Sequence, residues 1–443
     1  MKRKSNIKKF TKSKSKKKER ILYQSPIKRN NKIHINKSIS KEKDKIASDI
    51  KNNIKTLKMN ISGNIIIQNE FHLNKVQNKD SFLHFGVNYQ KEQKKVGLTN
   101  IGAPPYMNAT LQCFAHIKEF IEFFKKDKSK INIISDKNTL SYSFKLLIDN
   151  LWEDDPKKFK SYFNPSEFRK KINKMNSAFT KIEANDAKRF INFIIMNLHE
   201  ELNTENNNNI ILSDKIPEQT NKLDMFADFS KYYQTNFNSL INKLFCGVNN
   251  IITQCTECQS QFFDYQVYYF KIFPLDEVKK FVSENHNNIN RIGNEVDIYQ
   301  CFEFDHRTCS MSGDNSIFCN KCQKRTNCNI CTNLVLGPNI LILLINRNKS
   351  MEFNAKLQFF EDLDLTNYSE FKNSGLYKYR YKLISVIIHL GYKINIGHYI
   401  AYCKDPYTFN WFKFNDSIVS PVYDLKKEVF DFGIPYLLFY QKE

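Results

Sequence analysis

The sequence lacks any apolar run long enough to cross a lipid bilayer. Its longest such run, Leu334 to Ile345, is interrupted by Gly337, Pro338 and Asn339, whereas a membrane-spanning helix needs about 20 consecutive apolar residues. No apolar segment follows the charged N-terminus, so we expect no signal peptide. No internal repeat is present either. We therefore interpret the chain as an intracellular protein.

Acidic residues are scarce in the first part of the chain, and this scarcity determines the net charge. Residues 1–60 hold 21 Lys/Arg but only 4 Asp/Glu, whereas the whole chain has a formal net charge of +22. The other 383 residues therefore carry only +5. Because the basicity belongs to one segment, net charge does not indicate that the folded part binds nucleic acid.

The N-terminal segment is predicted to be a disordered arm. Residues 1–20 contain eleven Lys/Arg and one Glu, and like charges with little apolar surface do not fold. We expect residues 1–94 to form a basic, Lys-rich, largely disordered extension. The clusters K-R-K and K-K-K suggest nuclear import, or contact with nucleic acid or an acidic partner. The alternative is a solvated tail. We therefore expect the protein in the nucleus and/or cytoplasm.

The remainder, 95–443, has the composition of a folded domain. Hydrophobic residues make up 41% of the 443 residues, with 37 Phe and 22 Tyr, so a substantial core can be buried. Apolar spacing predicts helices over Met107–Phe124 and Asp186–Asn203, and Asn164–Glu167 is a typical helix start. We expect a loop or insertion from Asn203 to about Asp224.

Strand patterns dominate after Leu244, where Phe, Tyr and Val become frequent. The predicted strands are Phe262–Phe273, Leu334–Ile345, Tyr379–His389, His398–Lys404, Trp411–Phe414 and Tyr436–Gln441. Helices thus come first and antiparallel strands later, which predicts an α+β fold.

The cysteine pattern indicates metal binding. Of eleven Cys, six form C-x-x-C pairs, and in an intracellular chain this favours a metal over disulfides. Two pairs about sixty residues apart suit a closed tetrahedral Zn²⁺ site, which would be structural because no open ligand position is suggested. A third pair leaves the fourfold assignment open, and free reduced cysteines are the remaining alternative. The pairs are Cys255/Cys258, Cys319/Cys322 and Cys328/Cys331.

The segment Gly97 to Gln112 resembles the entry to a thiol-hydrolase site that has lost its thiol. It reads G-L-T-N-I-G-A-P-P-Y-M-N-A-T-L-Q, a loop that leads to the start of an apolar helix. Cysteine hydrolases place their nucleophile at such a helix start, where the helix dipole lowers the thiol pKa. The residue at this position is Pro105.

The C-terminal part contains a second half-site. His398 opens the strand H-Y-I-A-Y, and Asn415 and Asp416 end W-F-K-F-N-D about seventeen residues later. A hairpin of this length brings the two strands together, and a carboxamide or carboxylate could then hold the imidazole through its Nδ1–H. This is the base-and-orienter half of a Cys–His–Asn/Asp triad. Taken alone, a histidine at a strand end is more often a core or surface residue.

Together these segments resemble the ubiquitin-specific protease family, the papain-like deubiquitinases with a fingers–palm–thumb domain. The resemblance covers about Lys95 to Lys442, with fingers at about 245–335. Its further blocks are N-D-A-K-R-F-I-N-F-I-I-M-N-L-H-E-E-L-N, the cysteine knuckles, G-P-N-I-L-I-L-L-I-N-R and I-I-H-L-G-Y-K-I-N-I-G-H-Y-I-A-Y. The distance from Cys319 to the third of these blocks selects Cys319/Cys322 over Cys328/Cys331 as the second knuckle.

The resemblance also implies roles for individual residues. His398 would be the general base, Asn415 its orienting residue and Asp416 the adjacent acid. Asn100 matches the side-chain donor to the oxyanion. The nucleophilic cysteine of the family aligns with Pro105, which has neither a thiol nor a backbone N–H, although proline is tolerated in the first turn of a helix.

Two other thiols and one charge bear on activity. We expect Cys113, eight residues beyond Pro105 on the same helix, and Cys403 to be core residues.

The family's D-A-x-E-F segment carries an acidic pair that faces the Arg-containing tail of ubiquitin. Here Asp186 remains but Arg189 replaces the second acid, so either a like charge faces the tail or Arg189 points outward without effect.

Three hypotheses follow. The first is a catalytically inactive family member that binds ubiquitin or a ubiquitinated protein, or acts as a scaffold. The second is a deubiquitinase that is active by another route. The third is an interaction scaffold, in the nucleus or in RNA processing, that no longer binds ubiquitin.

Overall fold

The computed structural model describes residues 95–102, 106–126, 134, 136–180, 187–204, 222–285, 295–347, 356–372, 378–393, 396–431 and 434–443. All of them belong to one compact unit, Gln90–Glu443. The extension 1–94 and two predicted site residues, Pro105 and Asp186, lie outside the described residues. Within the described part of the chain, no helix combines the length and apolarity that a membrane crossing requires.

A helical lobe, α1 to α7, precedes the first long strand. The helices of the described residues are α1 Tyr106–Ala115, α2 Lys118–Ile121, α3 Leu140–Leu151, α4 Ser166–Met175, α5 Ala187–Leu202, α6 Lys222–Asn236, α7 Leu240–Phe245, α8 Leu275–Asn285 and α9 Ile298–His306. Side chains cap several of them. Thr139 accepts a hydrogen bond from the Tyr142 N–H at the start of α3, and Ser239 accepts one from the Asn242 N–H at α7.

The predicted helix Met107–Phe124 is broken into α1 and α2. The His116 ring donates from Nδ1 to the Gln112 carbonyl at 2.8 Å, and Ile117 adopts an extended conformation with ψ 118. A side chain that bonds to the carbonyl four residues earlier competes with the helix ladder and favours its termination. Apolar periodicity alone does not reveal such a break.

The strands are β1 Gly97–Leu98, β2 Tyr162–Phe163, β3 Gly247–Cys255, β4 Gln261–Tyr268, β5 Lys271–Pro274, β6 Glu295–Asp297, β7 Cys309–Met311, β8 Ile317–Cys319, β9 Lys324–Thr326, β10 Cys328–Leu336, β11 Ile340–Asn346, β12 Lys356–Gln358, β13 Asp362–Asp364, β14 Arg380–Lys393, β15 Ile396–Lys404, β16 Trp411–Asn415, β17 Ile418–Val422 and β18 Pro435–Lys442. The strands predicted in the last third of the chain are confirmed as β14, β15, β16 and β18.

An eight-stranded palm sheet forms the centre of the domain. Its order is β17-β16-β15-β14-β18-β11-β5, with β13 paired to β14. Strand β11 is buried on both faces: Ile340, Ile342 and Leu344 belong to the core shared with the helical lobe. The alternate residues Leu341, Leu343 and Ile345 belong to a second core with α8 and α9. The palm sheet therefore separates two apolar cores.

A finger sheet of order β4-β3-β10-β7 and a β8–β9 ribbon make up the second sheet region. The predicted strand Leu334–Ile345 is wrong as one element, because β10 ends in the finger sheet and β11 begins in the palm sheet. At the junction, Tyr379 and Tyr381 donate to the carbonyls of Val335 and Pro338 at 2.6 and 3.1 Å. A Cβ on Gly337 would lie 2.3 Å from the Tyr381 hydroxyl oxygen, so the junction requires glycine.

Three further expectations are corrected. Phe262–Phe273 forms two strands, β4 and β5, which join different sheets. Helix α6 begins at Lys222, within the predicted polar loop. Helices α8 and α9 lie in the half expected to be strands. Helix α9 starts with a capping box between Asp297 and Gln300, a local signal that strand-like composition nearby concealed.

Candidate active site

The segment before α1 is clamped to the turn that follows Asn415. The Leu98 N–H donates to the Asp416 carbonyl at 2.8 Å, and the Gly97 N–H donates to the Ser161 carbonyl at 2.9 Å. A Cβ on Gly97 would lie 2.6 Å from the Ser417 backbone. Glycine is therefore required at position 97, where the segment before α1 packs against the turn that follows Asn415.

The structure brings His398 and Asn415 together. Ala401 pairs with Phe414 and Tyr402 with Lys413 across β15 and β16. Because alternate residues share a face, His398 and Asn415 lie on the same face, and His398 Nε2 is 2.5 Å from Asn415 Oδ1.

The nitrogen that Asn415 holds differs from the expected one. We expected the Nδ1–H to be held, but the partner of Asn415 is Nε2. Extending the register of β15 and β16 places Asn415 diagonally opposite His398. A carboxamide oxygen only accepts, so Nε2 carries the proton. Among the described residues, Nδ1 of His398 has no hydrogen-bond partner.

Asp416 links three segments of the site. Its carboxylate accepts from Asn100 Nδ2 at 3.0 Å and from Asn108 Nδ2 at 2.8 Å. Its backbone adopts φ 50, a left-handed conformation that Asp tolerates better than most residues. The Asn100 side chain also accepts from the Gly102 N–H at 3.0 Å. The predicted oxyanion donor is thus held by Asp416 in this structure.

Asn108 is a site residue that the sequence reasoning missed. It lies on the first turn of α1 and is 7% exposed, with further bonds to the Leu98 and Thr99 carbonyls at 3.4 and 3.2 Å. The available signal was a polar residue on the otherwise apolar start of a buried helix. Buried polar side chains are almost always hydrogen-bonded, so its partners had to be near.

The start of α1 packs against β15. Tyr106 follows Pro105 directly and its ring packs edge-on against that of Tyr399, with centroids 6.2 Å apart. Tyr399 in turn follows His398. Although Pro105 itself lies outside the described residues, its neighbour is thus in contact with the neighbour of the histidine.

Cys113 and Cys403 are core residues, as expected. Both are 0% exposed, and their Sγ atoms lie 4.0 Å apart between α1 and β15. Burial, followed by the neighbouring Cys403, raises the pKa of the Cys113 thiol well above its ordinary value. A buried thiol of high pKa is a poor nucleophile.

Arg189 is the third residue of α5, and its side chain is exposed, whereas the adjacent Phe190 is buried. Its proposed partner in the acidic pair, Asp186, lies outside the described residues. The two interpretations of Arg189 therefore remain predictions.

The finger region gathers four cysteines. The Sγ atoms of all four lie within 4.8 Å of one another, with Cys255–Cys322 at 3.9 Å and Cys258–Cys319 at 3.6 Å. Tetrahedral Zn²⁺ with Zn–S bonds of about 2.3 Å requires Sγ–Sγ distances of about 3.8 Å. The residues therefore fit zinc.

The two knuckles share one backbone design. Each reads C-x-x-C-Q, and the glutamines Gln259 and Gln323 adopt φ 58 and 55. Their N–H groups donate to the carbonyls of Cys255 and Cys319 at 3.1 and 2.8 Å. Backbone donation from Cys258 lowers the pKa of the Cys255 thiol to about 6, which favours the thiolate that a metal requires.

The third cysteine pair is separate from this cluster. Cys328 and Cys331 lie on β10, where they pair with Cys255 and Ile252 of β3. An odd spacing on one strand directs their side chains to opposite faces. The second knuckle is therefore Cys319/Cys322, as the resemblance implied.

A helical lobe, a palm sheet with a His–Asn pair and zinc-ribbon fingers together define a papain-like fold of the fingers–palm–thumb type. The family model described as "Ubiquitin carboxyl-terminal hydrolase" matches residues 96–440. The chain belongs to this family.

Curated relatives agree with this assignment. Human ubiquitin carboxyl-terminal hydrolase 2 is 28% identical over 374 residues, which cover 80% of this chain and 56% of that protein. Usp2 of Drosophila melanogaster is 23% identical over 359 residues, covering 80% of this chain and 35% of the relative. The chain thus spans between a third and somewhat more than half of the length of these relatives.

Solved structures show the same fold. The SAGA DUB module Ubp8/Sgf11/Sus1/Sgf73 bound to monoubiquitin is similar with a TM-score of 0.57 and 21% identity, covering 79% of this chain and 69% of that chain. The same module bound to ubiquitin aldehyde gives the same TM-score and identity.

Proposed function

We propose that this chain binds ubiquitin or a ubiquitinated protein and does not cleave it. The proposal is carried by Pro105, which the family resemblance aligns with the nucleophilic cysteine, in a chain that keeps the His398–Asn415 pair at 2.5 Å between Nε2 and Oδ1. In thiol hydrolases this residue supplies the attacking sulfur, and its amide N–H commonly donates to the oxyanion, a contribution on the order of 3 kcal/mol. Proline supplies neither group.

The other thiols near the site support the absence of cleavage. Cys113 is two turns along α1 and Cys403 is on β15, and both are fully buried. A substitute nucleophile must be accessible to substrate and within reach of the base. The second hypothesis, an active deubiquitinase by another route, is therefore disfavoured.

The structural neighbour supports ubiquitin as the ligand, since it is bound to monoubiquitin within a module of several subunits. By analogy with that module, a scaffold role in an assembly is compatible with binding. The basic extension 1–94 is proposed to direct the protein to the nucleus or to contact nucleic acid or an acidic partner. Affinity for nucleic acid should then fall steeply with salt and vanish when residues 1–60 are removed.

A turnover assay tests the main proposal. The purified chain should release no fluorophore from a ubiquitin C-terminal fluorogenic substrate, yet labelled ubiquitin should bind saturably at micromolar concentrations. Turnover that is abolished by His398→Ala would contradict the proposal. Modification by a ubiquitin-based electrophilic probe, located by mass spectrometry, would identify the responsible thiol.

A second candidate is a scaffold that no longer binds ubiquitin, and the exposed Arg189 favours it. In this case a cation on the first turn of α5 would repel the Arg-containing tail of ubiquitin. Arg189→Glu should then create saturable ubiquitin binding that the parent chain lacks. Micromolar binding by the parent chain would remove this candidate.

A further inference from the structure

An exposed apolar surface adjoins the Asp416 turn, on the flank of the candidate site that faces β1. We propose that this surface, formed by Lys160, Tyr162 and Ile418, binds the protein to which ubiquitin is conjugated. Its ligand would be an acidic segment that carries a large apolar residue next to the modified lysine. The inference rests on the proposed function, because the ubiquitin tail must reach the site, and it names the second ligand that a conjugate presents there.

The site has two flanks on opposite sides of α1. Tyr106 contacts Phe190 of α5, with ring centroids 5.6 Å apart, whereas Asn108 donates to Asp416 and to the carbonyls at the end of β1. Two residues of a helix advance by about 200°, so these contacts point in opposite directions. The α5 flank, where Arg189 is exposed, is the one that the family resemblance relates to the ubiquitin tail. The β1 flank is then the one that faces the acceptor protein.

Tyr162 and Ile418 form the apolar part of this surface. In the parallel pairing of β1 with β2, Gly97 is directly opposite Tyr162, so both point to the same face of the ladder. A Cβ on Gly97 would lie 2.6 Å from the Ser417 backbone, so this face is turned toward the residue that precedes Ile418. The two side chains are 54% and 66% exposed. Neighbouring exposed apolar side chains beside a site indicate a contact surface for a partner.

The charges around this pair favour an acidic ligand. Segment 157–164 contains three lysines and no acidic residue, and segment 417–423 contains no charged residue. Asp155, the acid that precedes them, accepts from the Lys157 N–H at 2.9 Å and lies 3.7 Å from the Lys158 ammonium. Within the described ranges, the exposed Lys160 forms no ion pair. An acidic segment therefore meets complementary charge beside the two apolar side chains.

Fluorescence anisotropy of the full chain with matched ligands tests the inference. One ligand is labelled ubiquitin alone. The second is the same protein joined by an isopeptide bond to the lysine of a short peptide, in which Leu and Phe flank the lysine and Glu or Asp fills the other positions. The third is this conjugate with Gln and Asn in place of the acids. We expect the acidic conjugate to bind about tenfold more tightly than ubiquitin alone. The neutral conjugate should lose most of this gain, and high salt should reduce it.

Variants locate the gain on the surface. Tyr162→Ser and Ile418→Ser should each remove most of it, measured against the affinity of the same variant for ubiquitin alone. Lys160→Glu should reverse the preference between the acidic and the neutral conjugate. Tyr423→Ser is the matched control and should keep the gain. Tyr423 is 90% exposed and lies five residues beyond Ile418, about 16 Å along an extended chain.

The outcomes separate the inference from the proposed function. Equal affinity of the parent chain for ubiquitin and for the acidic conjugate would overturn the inference and leave the proposed function standing. A gain that survives both Tyr162→Ser and Ile418→Ser would place the acceptor protein elsewhere and overturn it as well. Failure of all three ligands to bind would contradict the proposed function itself, and the inference with it.

Discussion

The candidate active site and the zinc ribbon both use cysteine in this family, and the two regions differ in what holds them together. The described part of the site is held by side-chain amides and backbone groups around Asp416. The ribbon is held by the thiols of its four cysteines. A thiol can therefore be lost from the site at little structural cost, whereas the ribbon depends on each of its thiols.

Removing one zinc ligand should break the ribbon and give the largest effect. We expect Cys319→Ser to abolish stoichiometric zinc measured by elemental analysis, with the loss of binding free energy on the order of 10 kcal/mol. The finger strands should then lose protection from hydrogen exchange. Cys331→Ser, on β10 outside the cluster, is the control and should retain one zinc. Retention of zinc by Cys319→Ser would show that another ligand set is used.

Restoring a thiol at position 105 should show whether the rest of the candidate active site can still support cleavage. Because His398 and Asn415 are already paired, we expect Pro105→Cys to turn over a ubiquitin fluorogenic substrate at least about 10³-fold above the parent chain. Adding His398→Ala to this variant should remove the gain. A folded Pro105→Cys protein without turnover would mean that substrate binding or oxyanion stabilisation has also been lost.

Removing the Asp416 carboxylate should lower the free energy of unfolding more than removing an exposed surface carboxylate does. Asp416→Ala removes the charged acceptor of the Asn108 amide, which keeps only the Leu98 and Thr99 carbonyls, and the acceptor of the exposed Asn100 amide. This should cost about 2 kcal/mol of unfolding free energy in urea titrations. Asp362→Ala, which removes an exposed ion pair with Lys382, should cost about 0.5 kcal/mol or less. Similar losses for the two variants would refute the bridging role of Asp416.

Low pH should destabilise the core next to α1, because the buried His116 is harder to protonate in the folded chain than in the unfolded chain. Burial lowers the pKa of His116, at the end of α1, from 6.5 to about 4. The unfolded chain therefore binds more protons between these values, so stability is full above pH 6.5 and falls as the pH approaches 4. His116→Gln should reduce this slope by about 1.4 kcal/mol per pH unit, measured by urea unfolding at pH 7 and 5. An unchanged slope would contradict the assignment.

The sequence predicted those features that rest on local spacing. The knuckles and the strands around His398 and Asn415 follow from residue patterns within a few positions, and the structure confirms them as elements. The division of the Leu334–Ile345 run and the partner nitrogen of His398 depend on tertiary contacts, whereas the break at His116 rests on a local side-chain bond to the Gln112 carbonyl that apolar periodicity does not reveal. Asn108 was missed because its acceptor, Asp416, is 308 residues away in the chain.

The junction at Gly337 has a mechanical consequence. Strand β10 ends at Leu336 in the finger sheet and β11 begins at Ile340 in the palm sheet, and two buried tyrosines pin the carbonyls on either side of the glycine. These hydrogen bonds should restrict motion at the junction, so we expect the finger sheet and the palm sheet to move as one rigid body. A force applied to the zinc ribbon would then be transmitted to β11, at the centre of the domain.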